Sequence, residues 1–460
     1  LSLFIIIYIY RFGLSALTIA LKRDGVYREV CARVDTANDD DVVTKYEYEE
    51  DCNEQKLKFN AMYTAGTASV PTSMMFWGYF IDRKGVQITR FLALTLFIIG
   101  SILFAEADSK EFDTYVIACV FLNAGGAGFF LSHFAFCDHF RQTKYFGLAH
   151  SLINCAFDSS TATFFMFEEI HRVGATIKEL FYGLACVAFM FMMSTNTYVW
   201  GEYLEAPKQA EQEETCLEKQ LEGEMREEEE EESANNLENE NGNTSLQHKG
   251  KDLTSMIFTE QIKTPFFWTV AVWSLGSIFR TMFVLGSIFE QLQFNGNGRT
   301  IEDANKLVRL FNALILVSTL LTPFFGYFVD KLGLASAFVL VNALGVVAYI
   351  FILWNHEDRN VTLAIAFLCF GCFRAWNYSC LTIYVQGVFG NRTFGKLYGI
   401  GIGVFAVISG GMQYPSMHLV LSEDYGNGSF FVVDCLLICI GLALFMFPIW
   451  IKRNGVVGAH

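Results

Sequence analysis

The sequence predicts an all-α membrane protein with twelve transmembrane helices in two six-helix halves. Three observations carry that prediction. Roughly a dozen apolar runs reach the length of a bilayer span, about 20 residues. One charged turn occurs twice, as "GYFIDRKG" at 78–85 and "GYFVDKLG" at 326–333, an offset of 248 residues. An acidic tract lies between the two copies.

Composition agrees. The 460 residues are 53% hydrophobic and 18% charged, with 46 Phe. A soluble domain carries about a quarter charged residues. In chain order the first six spans are expected near 1–21, 58–81, 89–106, 113–136, 146–168 and 180–200. The first begins at Leu1 without an initiator Met, so the chain is expected to be truncated there. Arg11 interrupts the run and no small-residue site follows, which argues against a cleaved signal peptide. The second ends in the first charged turn, the fourth holds the glycine-rich "NAGGAGFF", and the fifth holds Asp158.

The last six are expected near 264–290, 304–328, 334–354, 361–388, 396–420 and 429–451. The seventh holds Arg280 and the eighth ends in the second charged turn. The tenth holds Arg374, and the eleventh holds "YGIGIGVF". No strand precedes either glycine-rich stretch, so both read as close helix packing rather than phosphate loops. The expected units are an N-terminal half at 1–200, a cytoplasmic linker at 201–262, a C-terminal half at 263–452 and a cytoplasmic tail at 453–460.

The net charge of −15 is local. Between Gly201 and Glu260 there are 18 acidic and 5 basic residues, a balance of −13, which leaves −2 for the rest. That tract is expected to be a disordered, solvated tether. A basic partner bound to it is the alternative. Most of the twelve cysteines sit in apolar runs, where they act as small apolar residues. Cys31 and Cys52 flank an acidic loop and are candidates for one disulfide if that loop faces an oxidising compartment. No spacing suggests a metal site, and no cofactor or nucleic-acid partner is expected.

Lys and Arg accumulate in short cytoplasmic loops. With the turn at 82–85 inside, the inner short loops and tail carry ten of them against six outside. Asn360 and Asn427 then fall outside as glycosylation candidates. The 248-residue offset recurs at Phe146-Gly147 and Phe394-Gly395. Two parallel repeats related by an axis along the membrane normal are a transporter architecture.

The pattern G-x-x-x-D-R-x-G-x-x-x-x-R at 78–90 resembles the signature loop of the major facilitator superfamily. Gly78, Asp82, Arg83, Gly85 and Arg90 match it, and Val86 departs where many members carry a basic residue. Asp330, Lys331 and Gly333 are the counterparts in the second turn. An ion pair of Asp82 with Arg83 and Arg90 is expected to latch the halves on the inner side. Capping helices at the membrane surface is the plainer alternative. The stretches "GLSALTIALKRDGVYREVC", "LKFNAMYTAGT", "NAGGAGFFL" and "NCAFDSSTATFF" resemble family 43 of the solute carriers. That family includes large-neutral-amino-acid transporters and an equilibrative nucleobase transporter, and "AFDSS" is more similar to the nucleobase branch.

Ionisable groups inside a span are expensive and therefore functional candidates. Arg11, Asp158, Arg280, Arg309 and Arg374 are the deep ones. The superfamily resemblance implies that spans one, four, seven and ten line the cavity, which places Arg280 and Arg374 on the substrate path. Three roles stay open for these charges: a structural Asp158–Arg pair, a grip on substrate, and a gate. Asn123, Ser159 and Asn377 add neutral polar groups that fit a nucleobase edge or hold helix to helix. The chain is expected in the plasma membrane, as a facilitative uniporter of nucleobases. Large neutral amino acids are the alternative cargo, and a non-transporting sensor acting through the linker is the alternative class. Paired catalytic carboxylates and nucleophile arrangements are missing from the spans, so no enzyme is expected.

Overall fold

The computed structural model describes residues 14–31, 33–34, 47–48, 53–159, 161–198, 253–294, 300–354, 360–421 and 430–454. Arg11, Cys52, Asn427 and the acidic tract at 199–252 lie outside them.

The first half comprises α1 (Leu14–Arg23), α2 (Asn53–Lys84), α3 (Val86–Ala105), α4 (Tyr115–Cys137), α5 (Phe146–Ser159), α6 (Thr161–Arg172) and α7 (Ile177–Tyr198). A two-residue hairpin, Arg33–Val34 against Glu47–Tyr48, lies between α1 and α2. A short helix, α8 (Phe258–Lys263), precedes the second half. The second half comprises α9 (Pro265–Phe294), α10 (Ile301–Leu320), α11 (Thr322–Leu332), α12 (Leu334–Leu353), α13 (Asn360–Phe389), α14 (Phe394–Leu421), α15 (Phe431–Ala443) and α16 (Met446–Arg453).

Among the described residues, two expected spans are broken helices. α10 and α11 form one span bent by 45°. Pro323 occupies the first turn of α11, where its missing N–H is tolerated but a straight continuation is not. α15 and α16 are the other, separated by a turn at 444–445. Among the described residues, seven helical stretches, α15 with α16 counted as one, are long and apolar enough to cross a membrane, and the bent pair makes an eighth.

The two charged turns fold alike. Gly85 (φ 85°) and Gly333 (φ 81°) occupy the left-handed region that a side chain resists, and each opens the next helix. Tyr79 lies under the Arg83 guanidinium and Tyr327 under the Lys331 ammonium, 5.9 and 4.7 Å from ring centre to cation. Arg90 is buried in α3. Packing inside the halves is aromatic: Phe104 stacks on Phe181 at 4.0 Å, and Trp273 meets Phe338 edge-on at 4.6 Å.

Candidate functional site

The contacts between the halves begin at two helix N-termini. An α-helix leaves its first N–H groups without internal partners and carries a partial positive charge there. The Asp82 carboxylate, at the end of α2, accepts hydrogen bonds from the Gly395 and Lys396 N–H groups at 3.1 and 2.7 Å, in the first turn of α14. The Asp330 carboxylate, near the end of α11, accepts from Gly147 and Leu148 at 2.6 and 2.9 Å, in the first turn of α5. Each partner is shifted by the repeat: 330 − 82, 395 − 147 and 396 − 148 all equal 248. Each half thus caps a helix of the other.

Glycines make these crossings close. A Cβ on Gly78 would stand 2.0 Å from the Gly395 carbonyl oxygen, and one on Gly326 would stand 2.6 Å from Ser151 Cβ. This corrects the expected latch. Arg83 and Arg90 belong to the same half as Asp82, so an ion pair among them joins nothing across the interface. The bonds that cross from Asp82 go to backbone N–H groups of α14.

Side chains seal the same end. Arg141 donates to the Gly387 carbonyl at 3.1 Å, Gln386 to that of Phe134 at 3.0 Å, and Asn154 to Thr382 Oγ1 at 3.3 Å. Gln261 of α8, fully buried, donates to the Phe389 carbonyl and accepts from Thr393 Oγ1, pinning the turn between α13 and α14. Sequence reading missed Gln261, because nothing in a six-residue helix marks its glutamine as buried.

Further along the interface, Asp158 of α5 meets Arg374 of α13, with Oδ1 to Nη1 at 3.4 Å. Their side chains are 5% and 1% exposed. Beside them lies a narrow cavity lined by Met74, Phe130, Asn154, Phe157, Asp158, Tyr378 and Tyr398. These residues come from α2, α4, α5, α13 and α14, so both halves build it. Four aromatic rings and one carboxylate, itself paired with a guanidinium, make up most of this lining.

Arg280 is placed elsewhere than expected. Its Nη1 donates to Asn342 Oδ1 at 2.9 Å, and Asn342 donates to the Gly441 carbonyl at 2.6 Å. Its guanidinium lies over the Phe373 and Tyr349 rings at 4.8 and 5.3 Å. Gly345 and Gly441 make room for Nη2, since a Cβ at either would come within 2.8 Å. The group is therefore held among α9, α12, α13 and α15, inside the second half and away from the cavity lining. Arg309 is exposed rather than deep.

The remaining candidates divide. Asn123 donates to the Cys119 carbonyl of its own helix at 2.9 Å, and Ser159 pairs with Cys155. Asn377 is fully buried, and neither Oδ1 nor Nδ2 has a partner. Cys31 is disulfide-bonded. Asn360 is the exposed first residue of α13. Asp434, in the first turn of α15, is fully buried with both oxygens unpartnered. At the other end of the first half, hydrogen bonds from Lys178 and Tyr182 hold the Glu106 carboxyl below its usual range.

Two helical halves that cap each other's helices around a shared, narrow cavity define a membrane carrier that works by alternating access. The Major Facilitator Superfamily model matches residues 53–412, and the chain belongs to that family. Among curated proteins it is similar to Protein FMP42 of Saccharomyces cerevisiae, 22% identical over 85% of this chain and 81% of that one. It is also similar to Equilibrative nucleobase transporter 1 of Bos taurus, 20% identical over 96% and 92%. Among solved structures, a double-Trp mutant of XylE aligns with a TM-score of 0.62 at 13% identity, covering 97% of this chain and 94% of that one. FucP in its outward conformation aligns with a TM-score of 0.53 at 12% identity, covering 98% and 97%. The protein is therefore a multi-pass integral membrane transporter of small solutes, not an enzyme, with twelve spans in two halves.

Proposed function

We propose that the chain is a facilitative uniporter of nucleobases. The observation that carries this reading is the cavity between the halves, with Phe130, Phe157, Tyr378 and Tyr398 around the Asp158–Arg374 pair. Aromatic rings stack on flat heterocycles, and a self-compensated ion pair leaves a neutral solute without a charge to desolvate. The bovine relative named for nucleobase transport supports the same cargo. A proton or sodium carrier normally needs a free carboxylate in the transport path. Asp158 already faces Arg374, which favours uniport.

Large neutral amino acids are a second reading, favoured by the same pair. Opened by a zwitterion, Arg374 offers a guanidinium to its carboxylate and Asp158 a carboxylate to its ammonium. The reading also places the 82–85 and 330–333 turns on the cytoplasmic face of the plasma membrane, with the acidic linker as a tether. Uptake of labelled adenine, guanine, leucine and phenylalanine in transporter-poor cells tests both cargoes. Adenine entry that stops at equilibrium and ignores proton and sodium gradients is expected. Leucine entry without adenine entry would replace the nucleobase reading by the amino acid one.

A further inference from the structure

The geometry points to Asn377 as the residue that reads the hydrogen-bonding edge of the transported ring. This inference rests on the nucleobase reading and adds a specificity residue to it. Asn377 is fully buried, yet its carbonyl oxygen and amide nitrogen both lack partners. A buried polar atom without a partner carries the whole cost of its desolvation, and natural interiors rarely keep one without a reason. Here two lie on one side chain.

Position supplies the reason. Arg374, Asn377 and Tyr378 stand at i, i+3 and i+4 on α13 and share one helix face. Arg374 is held by Asp158, which lines the cavity, and Tyr378 lines it directly. Asn377 is not itself among the lining residues, but it sits on the same helical turn as the interface pair and an aromatic wall of the cavity. Asn123 and Asn154, by contrast, have partners for their amide groups.

The chemistry of a primary amide then selects the ligand. It presents one acceptor and a donor side by side. Its complement is a planar edge with a neighbouring donor and acceptor, as in the amidine of adenine or the lactam of hypoxanthine. An asparagine amide pairs bidentately with such an edge on adenine in nucleic-acid recognition. Aliphatic amino acid side chains carry no edge of this kind, so Asn377 serves a nucleobase and not leucine. An edge-reading site rejects analogues that lack the edge more strongly than an apolar pocket rejects a size change, because its own polar groups stay unpaired.

The test compares adenine with 6-methylpurine, which keeps the ring and its size but lacks the exocyclic donor. Wild type and Asn377→Leu are assayed in the full-length chain for uptake of both, with thermal stability measured in detergent. Leucine keeps the branched shape of asparagine and carries no polar atoms. Wild type is expected to favour adenine by about tenfold or more, the scale of one bidentate pair. Asn377→Leu is expected to lose that preference with an unchanged or raised melting temperature, since it removes two unpartnered buried atoms. Asn377→Ala is expected to lose it as well.

Retained preference in both variants overturns the inference while leaving the nucleobase reading intact. A large fall in melting temperature in both variants, one larger and one smaller than asparagine, overturns it too, because it would show that the amide holds the fold. Absence of nucleobase uptake in the wild type removes the cargo reading and this inference together.

Discussion

Arg280 and Arg374 look alike in sequence, each midway along a span beside small and aromatic residues. The structure separates them by what surrounds each guanidinium. Arg280 is satisfied by Asn342 and by the faces of Phe373 and Tyr349, all inside one half. Arg374 reaches across to Asp158 in the other. Substitutions should therefore differ in kind. Arg280→Ala leaves Asn342 Oδ1 unpaired and is expected to destabilise the fold by about 1–3 kcal/mol with the substrate KM unchanged. Arg374→Ala strands a buried carboxylate, which costs about 3–5 kcal/mol. Adding Asp158→Asn should restore stability without restoring uptake. Thermal stability with transport kinetics on the same preparations reads both, and a KM shift in Arg280→Ala alone would return that residue to the solute path. The depth of each arginine was legible in the sequence from its place in an apolar run. Its partner was not, because Asn342 and Asp158 lie 62 and 216 residues away along the chain.

Among the helices, what was legible in the sequence is what is signalled locally. The two charged turns were legible because a left-handed glycine and a helix-ending aspartate recur at one offset, and the fold repeats them at Gly85 and Gly333. The bend at Leu321 and the break near 445 were not expected, since hydropathy runs straight through them. Nor was it legible that each aspartate caps a helix of the opposite half, 313 residues away for Asp82 and Gly395. Gly78 and Gly326 mark those crossings by the absence of a side chain. Gly78→Ala and Gly326→Ala are each expected to hold this end of the carrier apart, Gly78 more severely. Its added methyl meets backbone, the Gly395 carbonyl, whereas that of Gly326 first meets the Ser151 side chain. Slower uptake at normal surface levels is the expected result. Unimpaired uptake in Gly78→Ala would mean that the crossing is never this close during transport.

For the whole molecule, the question is what holds one end closed and how firmly. The tract between the halves is low in apolar residues and high in like charge, the composition of a solvated tether. Deletion of 209–248 should therefore leave uptake largely intact, whereas a signalling role for that tract requires its loss to abolish function. The closed end depends instead on the two caps. A carboxylate at a helix N-terminus contributes about 1 kcal/mol, more when partly buried. Asp82→Asn or Asp330→Asn removes the charge and keeps the shape, and the repeat symmetry predicts similar effects from each. The caps engage separate helices, so their losses should add to about 2 kcal/mol, roughly a 30-fold shift from closed to open. Ser151 reports this shift, because it is fully buried against Gly326 while this end is shut. In a Ser151→Cys background, alkylation by a membrane-permeant maleimide should quicken modestly in each single variant and about 30-fold in the double, by the same energies. A double variant labelled no faster than its parent, with transport undiminished, would place the force that closes this end elsewhere.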